Sequence, residues 1–170
     1  MKNIKAIIFD AYGTLFDVNS AAKKCKEKIG NKWEGFANYW RTTQLEYTWL
    51  RSMMGKHKNF WQITEDSLDK SMKAFSIDLS MRDELLDLYK VLSPFAEVHE
   101  VLNNLKQKNN KLAILSNGTP ELLEELIKSN NLEKLSQVNP SSQLATKIGV
   151  NIKEKFKNFL TTLITLAPTK

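Results

Sequence analysis

Two short apolar runs each end in residues capable of chemistry. Ile4-Lys5-Ala6-Ile7-Ile8-Phe9 closes on Asp10, and Lys111-Leu112-Ala113-Ile114-Leu115 closes on Ser116-Asn117-Gly118. A carboxylate at a strand end, facing amide-rich turns, can act as a nucleophile toward an electrophilic carbon or phosphorus. Ser116, Asn117 and the backbone N–H groups of Ala11 and Tyr12 could hydrogen-bond an anion beside it. The plainer alternative is that Asp10 caps a turn before Gly13. On these residues alone both readings stand open.

Either reading needs elements that bring the two runs together. Each run is nearly continuously apolar and is followed by a polar, glycine-containing turn, the pattern of strands buried on both faces of a parallel sheet. Such sheets place ligand sites at the carboxyl ends of their strands. Before the second run, Val98, Val101, Leu102 and Leu105 mark one face of a helix closed by Asn109-Asn110. After it, Thr119-Pro120 supplies an N-cap and a first-turn proline, and Leu122, Leu123, Leu126 and Ile127 form the next stripe. Helix, strand, helix around residues 97–128 predicts an α/β, doubly wound (Rossmann-like) core.

About a hundred residues lie between the strands, far more than one crossover helix requires. That stretch is helical in period: Phe36, Trp40, Tyr47, Leu50 and Met54 share a face, with Gly55 placed to end it. Ser80, with Asp83 and Glu84 in the first turn, starts a further helix striped by Leu85, Leu86 and Tyr89. Ser93-Pro94 marks the return. The expected organisation is a Rossmann-like core over residues 1–15 and 95–135, an inserted all-helical cap over 16–94, and a tail over 136–170.

Composition excludes more than it assigns. The net charge of +6 looks like a nucleic-acid signal, yet residues 1–130 hold 19 Lys+Arg against 17 Asp+Glu, and the last forty hold 6 against 2. The excess sits in the tail and reads as a solvated face, so no nucleic-acid partner is expected. No apolar run is long enough to span a bilayer, and Lys2-Asn3-Ile4-Lys5 is no secretory leader. A single cysteine, Cys25, makes no internal disulfide, and a cytoplasmic location is expected.

Phe9-Asp10-Ala11-Tyr12-Gly13-Thr14-Leu15-Phe16-Asp17 resembles the first motif of the haloacid dehalogenase superfamily, in the form carried by type II (S)-2-haloacid dehalogenases. Trp40-Arg41-Thr42-Thr43-Gln44-Leu45-Glu46-Tyr47-Thr48-Trp49-Leu50-Arg51-Ser52 resembles the helix bearing their halide-binding arginine. Leu112-Ala113-Ile114-Leu115-Ser116-Asn117-Gly118 resembles their second motif, and Asn59-Phe60 with Thr64-Glu65-Asp66 also fits. The resemblance implies that Asp10 attacks C2 of a short 2-haloacid and forms an ester, which water opens at the Asp10 carbonyl to give the inverted 2-hydroxy acid. It implies that Thr14 orients Asp10, that Arg41 and Asn117 receive the halide, and that Ser116 with the amides of Ala11 and Tyr12 holds the substrate carboxylate. Leu45 and Phe60 match apolar wall positions, and a homodimer is common among such proteins.

Chemistry favours the same branch. The superfamily's phosphatases place a second Asp two positions after the nucleophile to protonate an alkoxide; here that position is Tyr12. A departing halide is a weak base and needs only hydrogen-bond donors. The phosphatases also bind magnesium through a late acidic residue, and no Asp follows Asp87, so neither metal nor other cofactor is expected.

After Leu132-Glu133-Lys134 the resemblance ends. Lys147 is followed by Ile148-Gly149 where the family has Pro-Asp, and its later Ser-Asn-x-x-Asp segment has no counterpart. Ile152, Phe156, Phe159, Leu160, Leu163 and Ile164 keep helical spacing behind an Asn151/Glu154 capping box, predicting an amphipathic helix. The expectations are a truncated or frameshifted C-terminus, an exposed edge on the first strand, and impaired turnover. The alternative function is an inactive remnant that binds small carboxylates.

Overall fold

The computed structural model of the chain describes residues 6–133. The tail, with its expected helix and the positions of the missing late motifs, lies outside the described residues. Strand β1 (Ala6–Phe9) and strand β2 (Lys111–Ile114) pair in parallel, Ala6 opposite Lys111 and Phe9 opposite Ile114. Leu115 N–H donates to the Phe9 carbonyl at 2.8 Å, so the ladder runs to the very ends where chemistry was expected. One expectation fails here. β1 is half-buried along its length rather than buried on both faces, because among the described residues only β2 bonds to it; Leu112 and Ala113 of β2 are buried.

After β1 the chain turns sharply. The Ala11 carbonyl accepts from the N–H groups of Thr14, Leu15 and Phe16, and Gly13 sits at φ 91°, where a side chain would be strained. The outgoing leg then pairs with the returning one. Asp17 N–H donates to Ser93 O at 2.9 Å, Phe95 N–H donates to Leu15 O at 3.1 Å, and Phe16 bridges Pro94. Ser93 and Pro94 lie where the two legs meet.

Everything between these legs is helical: α1 (Ser20–Lys24), α2 (Lys26–Ile29), α3 (Trp33–Met53), α4 (Phe60–Phe75) and α5 (Arg82–Lys90). Helices α3 and α4 lie antiparallel, joined through Phe36–Phe75, Gln44–Thr64 and Arg51–Asp66 contacts. Phe16, Phe36, Leu68, Leu85 and Leu92 are fully buried where the helices meet the outgoing and returning legs. Asn59 and Gln62 form a reciprocal capping box that fixes where α4 starts. Gly55, at φ 66°, follows the end of α3 as expected.

The stripe drawn along α3 was too long. Leu50 is 49% exposed and Met54 60% exposed, together with Trp49 and Met53, because α4 begins only at Phe60 and the last turns of α3 run past it. The start of α5 also moves. Ser80 lies in a tight 3-10 turn over Leu79–Met81, capped by Asp78, whose carboxylate accepts from Ser80 N–H at 2.9 Å; α5 itself begins at Arg82 without a side-chain cap. Helix α6 (Val98–Gln107) leads into β2, and α7 (Pro120–Ser129) follows it, capped by Thr119 and burying its four expected residues. In α6 only Val98 and Leu102 are buried, whereas Val101 is 41% exposed, since a ten-residue helix packed on one strand turns a narrow stripe inward. No helix among the described residues is long and apolar enough to cross a membrane.

The α6 correction can be measured. Leu102→Ala is expected to cost about 2–5 kcal/mol of unfolding free energy, and Val101→Ala less than about 0.5 kcal/mol. Urea denaturation of the two variants separates them. Equal costs would mean that α6 packs through the wider stripe.

Candidate active site

Because β1 and β2 are parallel and in register, Asp10 and Ser116 emerge side by side from adjacent strand ends. Asp10 stands open to solvent as a residue, and its carboxylate takes a hydrogen bond from the Ala11 N–H. The protein around the carboxyl strips enough water to raise its pKa above the usual carboxylate range; the Ala11 bond and the charge of Arg41 pull the other way. The nucleophile and turn-cap readings of Asp10 are thus compatible: the same carboxylate is solvent-facing and anchored to its own turn.

Arg41 reaches this turn from α3. Its Nη2 donates to the Tyr12 carbonyl at 3.1 Å and its Nη1 to Gln44 Oε1 at 2.9 Å. Both acceptors are neutral, and no carboxylate forms an ion pair with Arg41 among the described residues. Its positive charge is therefore left to act on Asp10 and on whatever anion approaches.

Tyr12 is 4% exposed, its ring centroid 4.5 Å from that of Phe60 and 5.9 Å from that of Tyr89. Burial keeps its phenol protonated, and the hydroxyl has no hydrogen-bond partner among the described residues. Tyr12 thus packs as part of an aromatic wall with Phe60, and carries no acid at the position where the phosphatases have one.

The remaining expected residues are gathered less completely. Ser116 is buried, but its Oγ accepts from Gly118 N–H at 3.2 Å and so caps its own loop. Asn117 and Thr14 are exposed, and no hydrogen bond joins Thr14 to Asp10 among the described residues. The Ala11 amide lies close enough to Asp10 to lower its pKa. Leu45 is half-buried one helical turn beyond Arg41. No group of three His, Cys, Asp or Glu side chains among the described residues is placed to hold a metal.

Three residues of the site carried no assigned role in the sequence: Gln44, Thr64 and Tyr89. All are buried, and Gln44 Nε2 donates to Thr64 Oγ1 at 2.6 Å and to Tyr89 Oη at 3.1 Å. A signal existed. Gln44 continues the four-residue spacing of Phe36 and Trp40, and Thr64 lies on the stripe of Phe60 and Leu68, so both are polar where the helical period demands apolar. Gly118 was read only as a turn residue, yet an added Cβ there would stand 2.7 Å from Tyr12 Cε2 and 3.3 Å from Leu123 Cδ2.

Two outcomes follow from this geometry. Gly118→Ala must displace the buried Tyr12 ring and is expected to cost about 1–3 kcal/mol; in a Tyr12→Ala background the cost should largely vanish. An unchanged cost in that background would place the strain elsewhere. Asp10 holds its proton more tightly when folded, so its contribution to stability is fullest below the usual carboxylate range and falls as pH rises through the raised folded value. Asp10→Asn cannot ionise and is expected to melt above the native chain at about pH 7, the gap closing below about pH 4. A gap that does not change with pH would trace it to something other than ionisation.

Relatives share this arrangement of chain. The match to the haloacid dehalogenase-like hydrolase family covers residues 4–164. The chain is 45% identical over 129 residues to an (S)-2-haloacid dehalogenase of Pseudomonas sp. strain YL, covering 75% of this chain and 56% of that protein. It is 41% identical over 140 residues to (S)-2-haloacid dehalogenase 1 of Pseudomonas sp. strain CBS-3, covering 81% and 62%. The chain therefore spans little more than half the length of the curated relatives it matches. Among solved structures, a dehalogenase superposes with TM-score 0.85 at 30% identity, over 99% of this chain and 75% of that one. The L-2-haloacid dehalogenase of Xanthobacter autotrophicus with chloropropionic acid covalently bound superposes with TM-score 0.78 at 29% identity, over 98% and 67%. A strand-end aspartate, a helix-borne arginine on its turn, and these matches along most of the chain agree: the chain belongs to the haloacid dehalogenase-like hydrolase family.

Proposed function

We propose that this chain carries out the displacement step of (S)-2-haloacid dehalogenation, with Asp10 as nucleophile. The observation that carries the reading is the pairing of Asp10, open to solvent at the end of β1, with an Arg41 guanidinium held by neutral acceptors. One Asp10 oxygen attacks C2 from the face opposite the halogen. The C–O bond forms as the C–X bond breaks, and the bonding pair leaves with the halide. Arg41 stabilises the departing charge, and no proton is required. Water then attacks the Asp10 carbonyl carbon, releasing the (R)-2-hydroxy acid and returning the carboxylate with loss of a proton. The covalently bound chloropropionic acid in the Xanthobacter relative is the kind of intermediate this route requires.

Within this reading residues 16–94 act as a cap over the Rossmann-like core of 1–15 and 95–135, and the Arg41–Tyr12 bond is where cap meets core. The wall of Tyr12 and Phe60 suits a short alkyl group, with Leu45 as its third member. Ser116 would have to turn from its bond with the Gly118 N–H toward the substrate. The hydrolytic step depends on groups that the family places after residue 135; the family match runs to residue 164, but the Lys-Pro-Asp and Ser-Asn-x-x-Asp patterns have no counterpart there. The reading is accordingly one of ester formation with little or no turnover.

Incubation of the full chain with (S)-2-chloropropionate tests this through released chloride and intact mass. The expected result is chloride approaching one per chain, with a mass gain equal to substrate minus hydrogen chloride, both lost in Asp10→Asn. The rate of ester formation should rise with pH through the raised Asp10 pKa, because only the carboxylate attacks. Sustained chloride release would overturn the single-turnover reading in favour of a complete enzyme. Neither chloride nor adduct, with reversible chloropropionate binding, would establish the carboxylate-binding alternative.

A further inference from the structure

The polar cluster behind Arg41 is more elaborate than packing alone requires. Gln44, Thr64 and Tyr89 are 2%, 0% and 3% exposed, one from each of α3, α4 and α5. Burying three polar side chains is costly unless each is satisfied, and here the donors and acceptors fall in a single order. Thr64 Oγ1 donates its proton to the Phe60 carbonyl at 2.8 Å. Its oxygen can then only accept, which it does from Gln44 Nε2 at 2.6 Å. The second Nε2 proton goes to Tyr89 Oη at 3.1 Å, and the Tyr89 hydroxyl donates in turn to Gln44 Oε1 at 3.3 Å. The amide cannot flip without opposing donor to donor, so Gln44 Oε1 is turned toward Arg41, whose Nη1 it accepts at 2.9 Å.

We propose that Gln44 is a positioning residue: its amide, oriented by Thr64 and Tyr89, holds the Arg41 guanidinium against the Asp10 turn without neutralising it. This rests on the reading that Arg41 serves an anion. A glutamate of the same length would grip the guanidinium more strongly through charge-assisted bonds. It would also cancel the charge that an incoming anion is meant to meet. An amide supplies the acceptor and leaves the charge intact. The other two contacts of Arg41 follow the same rule: the Tyr12 carbonyl and the Tyr89 hydroxyl are also uncharged.

Two variants of the full chain separate this from a packing role. Gln44→Glu retains the grip and removes the net charge; Gln44→Met removes the grip and retains the charge. The first readout is the titration of the Asp10 carboxyl by carbon NMR on aspartate-labelled protein, assigned with Asp10→Asn. The groups facing Asp10 are Arg41 and Tyr12; the Tyr12 phenol stays protonated well above neutrality, as does that of Tyr89 beside Tyr12, pushed up to about 12. The second readout is bromide binding, followed by line broadening of the bromide resonance.

In Gln44→Glu the Asp10 titration should move to higher pH and bromide affinity should fall about tenfold or more, as expected for cancelling a nearby point charge. In Gln44→Met the Asp10 titration should stay near that of the native chain, and bromide affinity should fall several-fold as the guanidinium wanders. If both variants melt lower yet keep native bromide affinity and native Asp10 titration in the folded protein, Gln44 only packs and the proposal is wrong. Should Gln44→Glu not fold, Thr64→Val, close in shape and lacking the acceptor, removes the bond that holds Gln44 Nε2 and loosens the amide on the side away from Arg41. It is then expected to weaken bromide binding several-fold, and native affinity in it would equally overturn the proposal. None of these readouts uses a haloacid. Absence of chloride release would therefore defeat the dehalogenase reading while leaving the Gln44 result to stand or fall alone.

Discussion

The hydrogen bond from Arg41 Nη2 to the Tyr12 carbonyl is the contact on which the rest of the site depends. It joins a residue of the helical insertion to the turn that immediately follows Asp10. The two halves of the site arise from stretches of chain that share no secondary structure. The strand end supplies a carboxylate whose pKa is raised by lost solvent, and α3 supplies the cation that partly offsets that loss. Because the accepting group is a backbone carbonyl, the tie does not depend on the identity of the side chain at position 12. That leaves the Tyr12 ring free to pack on Phe60 and Tyr89.

Much of this was legible in the residues. The apolar runs closing on Asp10 and Ser116 became paired parallel strands, and Thr119-Pro120 and Gly55 marked boundaries because each has a local conformational reason to sit there. Local signals misled where tertiary context decided. Leu50, Met54 and Val101 satisfy helical periodicity, but periodicity says which residues share a face and not how far a neighbouring element extends along it. Ser80 was a reasonable helix start, but it falls in a 3-10 turn capped by Asp78, and the α-helix begins two residues later at Arg82.

The site was harder to read than the fold, for a physical reason. Nucleophile and arginine announce themselves by type and motif, whereas the groups that orient them look like core positions with the wrong polarity. Gln44 and Thr64 are such positions: their meaning depends on a proton order running from the Phe60 carbonyl to Arg41, which only three-dimensional neighbours reveal. Gly118 is similar. Its φ is not in the left-handed region, and its need for a missing Cβ comes from the Tyr12 ring lying against it.

The antiparallel contact between the two legs of the insertion, closed by Asp17 N–H to Ser93 O and Phe95 N–H to Leu15 O, bears on how the sheet can form at all. Pairing β1 directly with β2 means closing a loop of about a hundred residues, and closure entropy grows with the logarithm of that length. Once the helices fold locally and bring the two legs together, the remaining loop is the short stretch on either side of them, roughly a quarter as long. The entropic cost of the final parallel pairing falls by about 1 kcal/mol. A long insertion between two neighbouring strands, which lengthens the chain between them, thus acts as a clasp that shortens the search for their register.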